Sequence, residues 1–409
     1  MARNTSAPRK ILICSYGGGH SKAVIPVARA VLERGDTLDL IGFTTAFAEF
    51  QRAGLPARSI ESLIDPTDDA PYLALARDLA PPTDHPDITE AQTLAYTALG
   101  LRDLMGRLGD AAGIALYKEK GRFAFEPVEV AKRALIKARP DLVVATTSPR
   151  MELAFLRAAR ALGLPALAIA NQFIIDERAW VLSGDYPDHL AVLCGEIRDT
   201  LGEGGHRPRD VRVTGSPAFD ALARFGDAQG PRAQVRAGLG LAQDETVILW
   251  PLNNAVAART GEAFLAPEAL VDLFETFCEA HPGLRYILRR HPNGPTAPPP
   301  GMVRGLFDDG TLSAGESLAA ADVVCGEMST VLLEGILLGK PVACYGFADY
   351  VPFIKWGLAE ELTSLDQIAP FALHQTQRAR KTIDMPPLGT ATRNVTAFMD
   401  DILRQSAPT

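Results

Sequence analysis

Three short stretches carry residues whose types and spacing suit chemistry on anions and hydroxyl groups. The first is Tyr16-Gly17-Gly18-Gly19-His20, which follows an apolar run at residues 11–14. Behind it Val24, Val27, Ala28, Val31 and Leu32 recur at helical spacing. Glycines at a strand-to-helix turn permit φ > 0 and expose N–H groups to an anion. A histidine at the carboxyl end of a strand titrates near neutrality and suits a general base. The bland alternative is a tight structural turn beside an exposed histidine. The run has neither the G-x-G-x-x-G spacing of a dinucleotide fingerprint nor the pattern of a P-loop.

The second stretch, Arg289-Arg290-His291, follows a strand and offers two cations and a hydrogen-bonding ring to an anion. Arginines after an edge strand are as commonly solvated. The third is Gly326-Glu327-Met328-Ser329-Thr330, continuing through Glu334 to Gly339-Lys340-Pro341. Ser329 or Thr330 caps a helix there, leaving free N–H groups for a diphosphate. Glu327, Thr330 and Glu334 share one face if the helix runs through all three. Glu334 then suits the two hydroxyls of a ribose, and the alternative is an ordinary strand–helix–strand unit with a surface glutamate. Asn253 and Asn254 end another strand and are secondary candidates for the same phosphates. The segments Thr146–Arg150 and Asn171-Gln172 end strands of the first half and are candidates to line whatever ligand that half accepts. His85, His189, His206, His281 and His374 lack such contexts and read as surface or loop residues.

These stretches need a scaffold, and the chain supplies one twice. Apolar strands alternate with helices from residue 11 to 214, with a less regular, proline-rich interval at 47–122. The series restarts at 246 and runs to 345. Alternation of this kind means parallel sheets covered on both faces, with ligands at the carboxyl ends of the strands. The expected organisation is an α/β chain of two doubly wound domains, 1–222 and 241–385, followed by a helix within 386–409 that packs on either.

Composition agrees. The chain has 409 residues, 47% hydrophobic and 22% charged, with a net charge of −8. That balance argues against a nucleic-acid binder. Cys14, Cys194, Cys278, Cys325 and Cys344 have no CxxC spacing, as expected for buried thiols in a reducing compartment. No apolar run reaches the roughly 18 residues of a membrane span, and residues 1–10 lack the apolar core of a signal peptide. The expectation is a cytoplasmic protein, with peripheral membrane contact left open.

The glycine–histidine opening, followed by a helix with Pro26, resembles that of GT-B glycosyltransferases such as the muramyl-pentapeptide N-acetylglucosaminyltransferase and monogalactosyldiacylglycerol synthase groups. In the muramyl type the proline follows the histidine more closely. The ending Glu334…Gly339-Lys340-Pro341 is similar to the nucleotide-binding segment of many GT-B enzymes and of the non-hydrolysing UDP-N-acetylglucosamine 2-epimerases. The run Val211 to Asp220 looks like the segment that closes the first domain in these families. His291-Pro292 with Ser329-Thr330 resembles motifs of polysialyltransferases and glycerophosphate polymerases, which use cytidine-activated donors. The resemblance implies two Rossmann-like domains facing an interdomain cleft, with a UDP-, CDP- or CMP-linked donor on the second. The resemblance further implies that His20 lies at the reaction centre, that Glu334 binds ribose, and that no metal or other cofactor is needed. The acceptor is not named by it. Three rival functions stay open: a 2-epimerase, a CDP- or CMP-donor polymer transferase, and a non-catalytic nucleotide-sugar-binding protein.

Overall fold

The computed structural model describes residues 8–170, 172–202, 208–226, 229–253, 263–347, 351–374 and 381–406. The chain divides into two compact units, Met1–Asp220 with Met385–Thr409, and Ala221–Asp384. The first unit holds β1 (Lys10–Ser15), β2 (Thr37–Gly42), β3 (Ala57–Ser59), β4 (Leu142–Thr146), β5 (Ala166–Ile169), β6 (His189–Val192) and β7 (Asp210–Val213). They form one parallel sheet in the order β3-β2-β1-β4-β5-β6-β7. The second unit holds β8 (Thr246–Pro251), β9 (Leu284–Arg289), β10 (Gly305–Asp308), β11 (Val323–Gly326), β12 (Val342–Tyr345) and β13 (Glu360–Leu362). Its parallel order is β10-β9-β8-β11-β12-β13.

Ile11, Leu12, Ile13 and Cys14 are all fully buried. Such a strand makes sense only where helices cover both faces of the sheet. In each unit the chain lays strands to one side of the first strand and then crosses to the other. The reversal falls between β1 and β4 in the first unit, and between β8 and β11 in the second. At such a point successive connections leave in opposite directions and open a crevice at the carboxyl ends of the strands.

The helical and strand periodicities predict the central elements to within a residue or two. The edge strands β3, β10 and β13 have too few residues to show a period. The interval 47–122 is more ordered than its prolines suggest, with helices Ala70–Leu79, Glu90–Leu108 and Asp110–Lys120. The stretch between 223 and 240 also carries a helix, Gln229–Leu239. Its Arg236 is fully buried, donates to the carbonyls of Ala320 at 2.9 Å and Ala242 at 3.0 Å, and pairs with Asp322 at 2.6 Å.

The final helix, Ala391–Gln405, belongs to the first unit. Val395, Phe398, Met399 and Ile402 join the cluster formed by Val24, Val27 and Val31 of the helix Gly19–Glu33. Asp220 holds its start, accepting from the N–H groups of Ala391 at 2.9 Å and Thr392 at 2.8 Å and from the Thr392 hydroxyl at 2.6 Å. Asn394 donates to the carbonyl of Thr214 at 3.1 Å. The segment ending at Asp220 is therefore the dock for the returning helix. His189, read as a surface residue, is half-buried, with its ring edge-on to Phe398 at 5.7 Å. All five cysteines are buried and unpaired. No described helix is long and apolar enough to cross a membrane.

Replacing Phe398 with alanine should cost about 3–5 kcal/mol, the usual loss for a buried phenylalanine. Urea unfolding measures it. A loss below about 1 kcal/mol would show that the final helix is not part of this core.

Candidate functional site

Both crevices hold residues singled out by the sequence. In the first unit, the loop after β1 carries Gly17, Gly18, Gly19 and His20, and β4 ends at Thr146. His20 Nδ1 lies 2.7 Å from Thr146 Oγ. Thr146 Oγ in turn donates to Glu152 Oε2 at 2.5 Å. Glu152 is fully buried and also accepts the N–H of Thr146 at 2.6 Å and, on Oε1, the N–H of Tyr16 at 2.6 Å. With both oxygens accepting N–H groups, this carboxylate serves as an acceptor only. The Thr146 hydroxyl spends its single proton on it and has only lone pairs left for His20. Nδ1 of His20 therefore carries the ring proton, and Nε2 is left as the basic nitrogen. Nε2 has no hydrogen-bond partner among the described residues.

The glycines serve a different purpose from the one expected of an anion cradle. Gly18 N–H donates to Glu49 Oε1 at 3.0 Å, and Ser21 Oγ bonds both Gly18 O, at 2.7 Å, and the Glu49 carboxylate. A protein carboxylate thus already sits on this amide. Gly17 adopts φ +133°, and a Cβ there would lie 2.0 Å from Thr45 Oγ and 2.9 Å from Ala46 N. The missing side chain lets the loops after β1 and β2 pack together and brings His20 to the end of β4. Arg150, two residues ahead of Glu152 at the cap of the same helix, adopts φ +65° without being glycine. Such strain persists only where the surroundings enforce it, and it gathers at functional sites. Its guanidinium lies over the rings of Tyr16 at 4.6 Å and Phe123 at 5.2 Å. Asn171 lies outside the described residues.

In the second unit, Asn253, His291 and Ser329 follow the carboxyl ends of the adjacent strands β8, β9 and β11. Gly326 closes β11, and the helix Thr330–Leu337 follows. Ser329 is its N-cap, with Oγ accepting from Val331 N at 3.2 Å. A Cβ on Gly335 would lie 2.9 Å from Val324 Cγ2, so glycine lets this helix lie directly on β11 and sets its start at the strand end. The N-terminus of the helix offers N–H groups and a positive dipole end to an anion.

The basic triplet divides. Arg289 is committed to the fold, paired with Asp308 and donating to Leu312 O at 3.0 Å and Ser317 Oγ at 2.8 Å. Arg290 folds back on its own loop, donating to Gly294 O and Pro292 O, each at 2.8 Å. His291 stays available. Its Nδ1 accepts from Asn293 N at 3.2 Å, so the ring proton is on Nε2. Burial, helped by Arg290, holds its pKa below the ordinary value and keeps the ring a neutral donor. The two histidines are thus held in opposite tautomers, one a base and one a donor.

Glu327 is not on the helix face shared by Thr330 and Glu334, because the helix begins after it. It is buried and accepts from Leu265 N at 3.0 Å, and burial holds its carboxyl above the usual range. Glu334 is half-buried, one turn into the helix. Asn253 Nδ2 is buried beside the Glu327 carboxyl, which it favours in its charged form against the effect of burial. Asn254 lies outside the described residues. Sequence reading made Thr146 and Arg150 candidates to line a ligand but passed over Glu152. The one available signal was a lone acid among the apolar residues of a helix, six residues after a strand whose end must be satisfied.

No family model matches the chain. A stretch of 159 residues is 32% identical to lipid-A-disaccharide synthase of Pseudomonas savastanoi pv. phaseolicola, covering 38% of this chain and 39% of that enzyme. The chain thus spans well under half the length of that relative. Among solved structures, a putative UDP-N-acetylglucosamine 2-epimerase of Listeria monocytogenes superposes with a TM-score of 0.60 over 98% of both chains at 13% identity. The UDP-GlcNAc 2-epimerase of Neisseria meningitidis bound to UDP-GlcNAc gives 0.58 over 96% of this chain and 100% of that one at 11% identity. The glycotransferase of kitacinnamycin gives 0.54 over 98% of this chain and 96% of that one at 13% identity. The chain has the GT-B fold. At these identities the likeness is one of fold, and the GT-B architecture serves both transferases and epimerases.

The Glu152 carboxylate should be hard to replace. Glu152→Gln places an amide NH₂ against N–H donors and should cost about 3 kcal/mol, whereas Thr146→Val should cost about 1 kcal/mol. Denaturant unfolding compares them; equal small losses would contradict the bonding pattern.

Proposed function

We propose that this chain is a glycosyltransferase moving a sugar from a nucleotide-activated donor, held by the second unit, to an acceptor hydroxyl on the first. The observation that carries this reading is the His20–Thr146–Glu152 chain, which leaves a basic nitrogen at the end of a strand pair. In the reaction His20 Nε2 takes the proton of the acceptor hydroxyl. The acceptor oxygen bonds to the anomeric carbon, the bond from that carbon to the donor phosphate breaks, and its electron pair leaves on the nucleoside diphosphate. One such displacement inverts the anomeric carbon. The departing charge is met by the N–H groups at Thr330 and by the His291 Nε2–H, both preformed donors. Glu334 serves the ribose, with Gly326, Glu327 and Asn253 shaping the surrounding wall. A uridine diphosphate donor is the first choice, supported by the UDP-GlcNAc bound to the fold relative from Neisseria meningitidis.

His20→Ala should lower transfer about 10²- to 10⁴-fold, the usual share of a general base, while leaving UDP affinity unchanged. Calorimetry and a product assay measure the two. Retention of most of the turnover would remove the base. Incubation with a UDP-linked sugar alone tests the rival chemistry, because a C2 epimer appearing without acceptor would make the protein an isomerase.

A further inference from the structure

The first unit contains a pocket of about 720 Å³ that the transfer mechanism does not use. This is within the roughly 300–1,000 Å³ of small-molecule sites. Its floor is a run of rings. Tyr117 stacks on Phe125 at 5.0 Å, Phe125 meets Tyr96 at 6.1 Å, and Tyr96 meets Tyr16 edge-on at 6.3 Å. Leu79, Pro82 and Ile88 form the facing wall. Tyr16 is the residue before the glycine loop, so the run ends beside the His20 chain.

Two features give this apolar pocket a polar end. The hydroxyls of Tyr16 and Tyr96 are buried against each other with no third partner, so one O–H of the pair is left without an acceptor, and Tyr96 is only 7% exposed. Buried hydroxyls normally find a partner, and leaving one unmet is costly. Arg150 lies against the Tyr16 and Phe123 rings, and its guanidinium has no acidic or carbonyl partner among the described residues, with Nε buried and unbonded. The mouth adds Lys118, Lys120 and Arg122 against a single acid, Asp84.

We propose that this pocket holds the aliphatic part of an anionic amphiphile, with Arg150 answering its charge and the two tyrosine hydroxyls its polar junction. The inference rests on the reading that the first unit takes the acceptor, and it names the acceptor's chemical class. The volume is far larger than one ring needs, and the mixed aliphatic and aromatic lining suits a flexible chain. The excess of positive charge selects a phosphate or carboxylate over a neutral headgroup.

Calorimetry on the full chain with decyl phosphate below its micellar concentration, decyl alcohol and inorganic phosphate tests it. Decyl phosphate should bind best, and Arg150→Gln should weaken it about tenfold or more while leaving decyl alcohol unchanged, as loss of one charge-assisted contact implies. Ile88→Trp, which fills the pocket from a loop, should abolish binding of both alkyl ligands. Equal binding of decyl phosphate and decyl alcohol, indifference to Ile88→Trp, or no binding of either would overturn the proposal. Sedimentation with phosphatidylglycerol vesicles separates the source of the ligand: binding to vesicles without binding to monomeric decyl phosphate would mean a membrane-surface contact and would also overturn it. UDP titrated in parallel keeps the two readings apart. Decyl phosphate binding without UDP binding sinks the transferase and spares the pocket, and the reverse result sinks the pocket alone.

Discussion

The structure of the first crevice depends on one carboxylate. Glu152 sits fully buried where β1 and β4 part, and three donors converge on it from Tyr16 and Thr146. A charge in such a place is tolerated only when its lone pairs are met. Meeting them ties the end of one strand to the end of its neighbour across the topological reversal. The same bonds use up the threonine proton, which determines how the histidine beside it must be protonated. A requirement of burial becomes a requirement on chemistry.

The second unit reaches a complementary state by other means. Its helix start is set by close packing of glycine on valine, and His291 is turned into a donor by a backbone N–H within its own loop. Neither arginine of the triplet is spared for a ligand, since both brace the loops that present His291. A neutral donor and a helix N-terminus suit a leaving diphosphate without demanding a strong fixed cation. Base and donor are each prepared before any ligand arrives, which is what electrostatic preorganisation requires.

Much of this was legible in the sequence because parallel strands covered on both faces are apolar along their length, and their ends fall at predictable loops. The glycine turn, His20, His291 and the Ser329 cap all announce themselves that way. What stayed hidden was long-range pairing. The partners of His20 are separated from it by more than a hundred residues, and the only local mark on either is that Glu152 is a lone acid in an otherwise apolar stretch of helix. Arg289 misled for the same reason, because Asp308, Leu312 and Ser317 reach it from other elements, whereas Arg290 is claimed by carbonyls of its own loop. Gly18 was read as an open amide, yet Glu49 fills it from the helix after β2. The helical interval at 70–120 was obscured by its prolines, which sit in the connections or, as Pro71 does, in the first turn of a helix where the missing N–H does no harm.

The central claim is that the His20 ring is held with its proton on Nδ1 and its lone pair on Nε2. Nitrogen-15 NMR of histidine-labelled protein, at a pH where the imidazole is neutral, reads this directly. The account predicts a protonated Nδ1 and a bare Nε2 for His20, with the preference lost in Thr146→Val. A His20 signal showing the proton on Nε2 in the wild-type protein would contradict it.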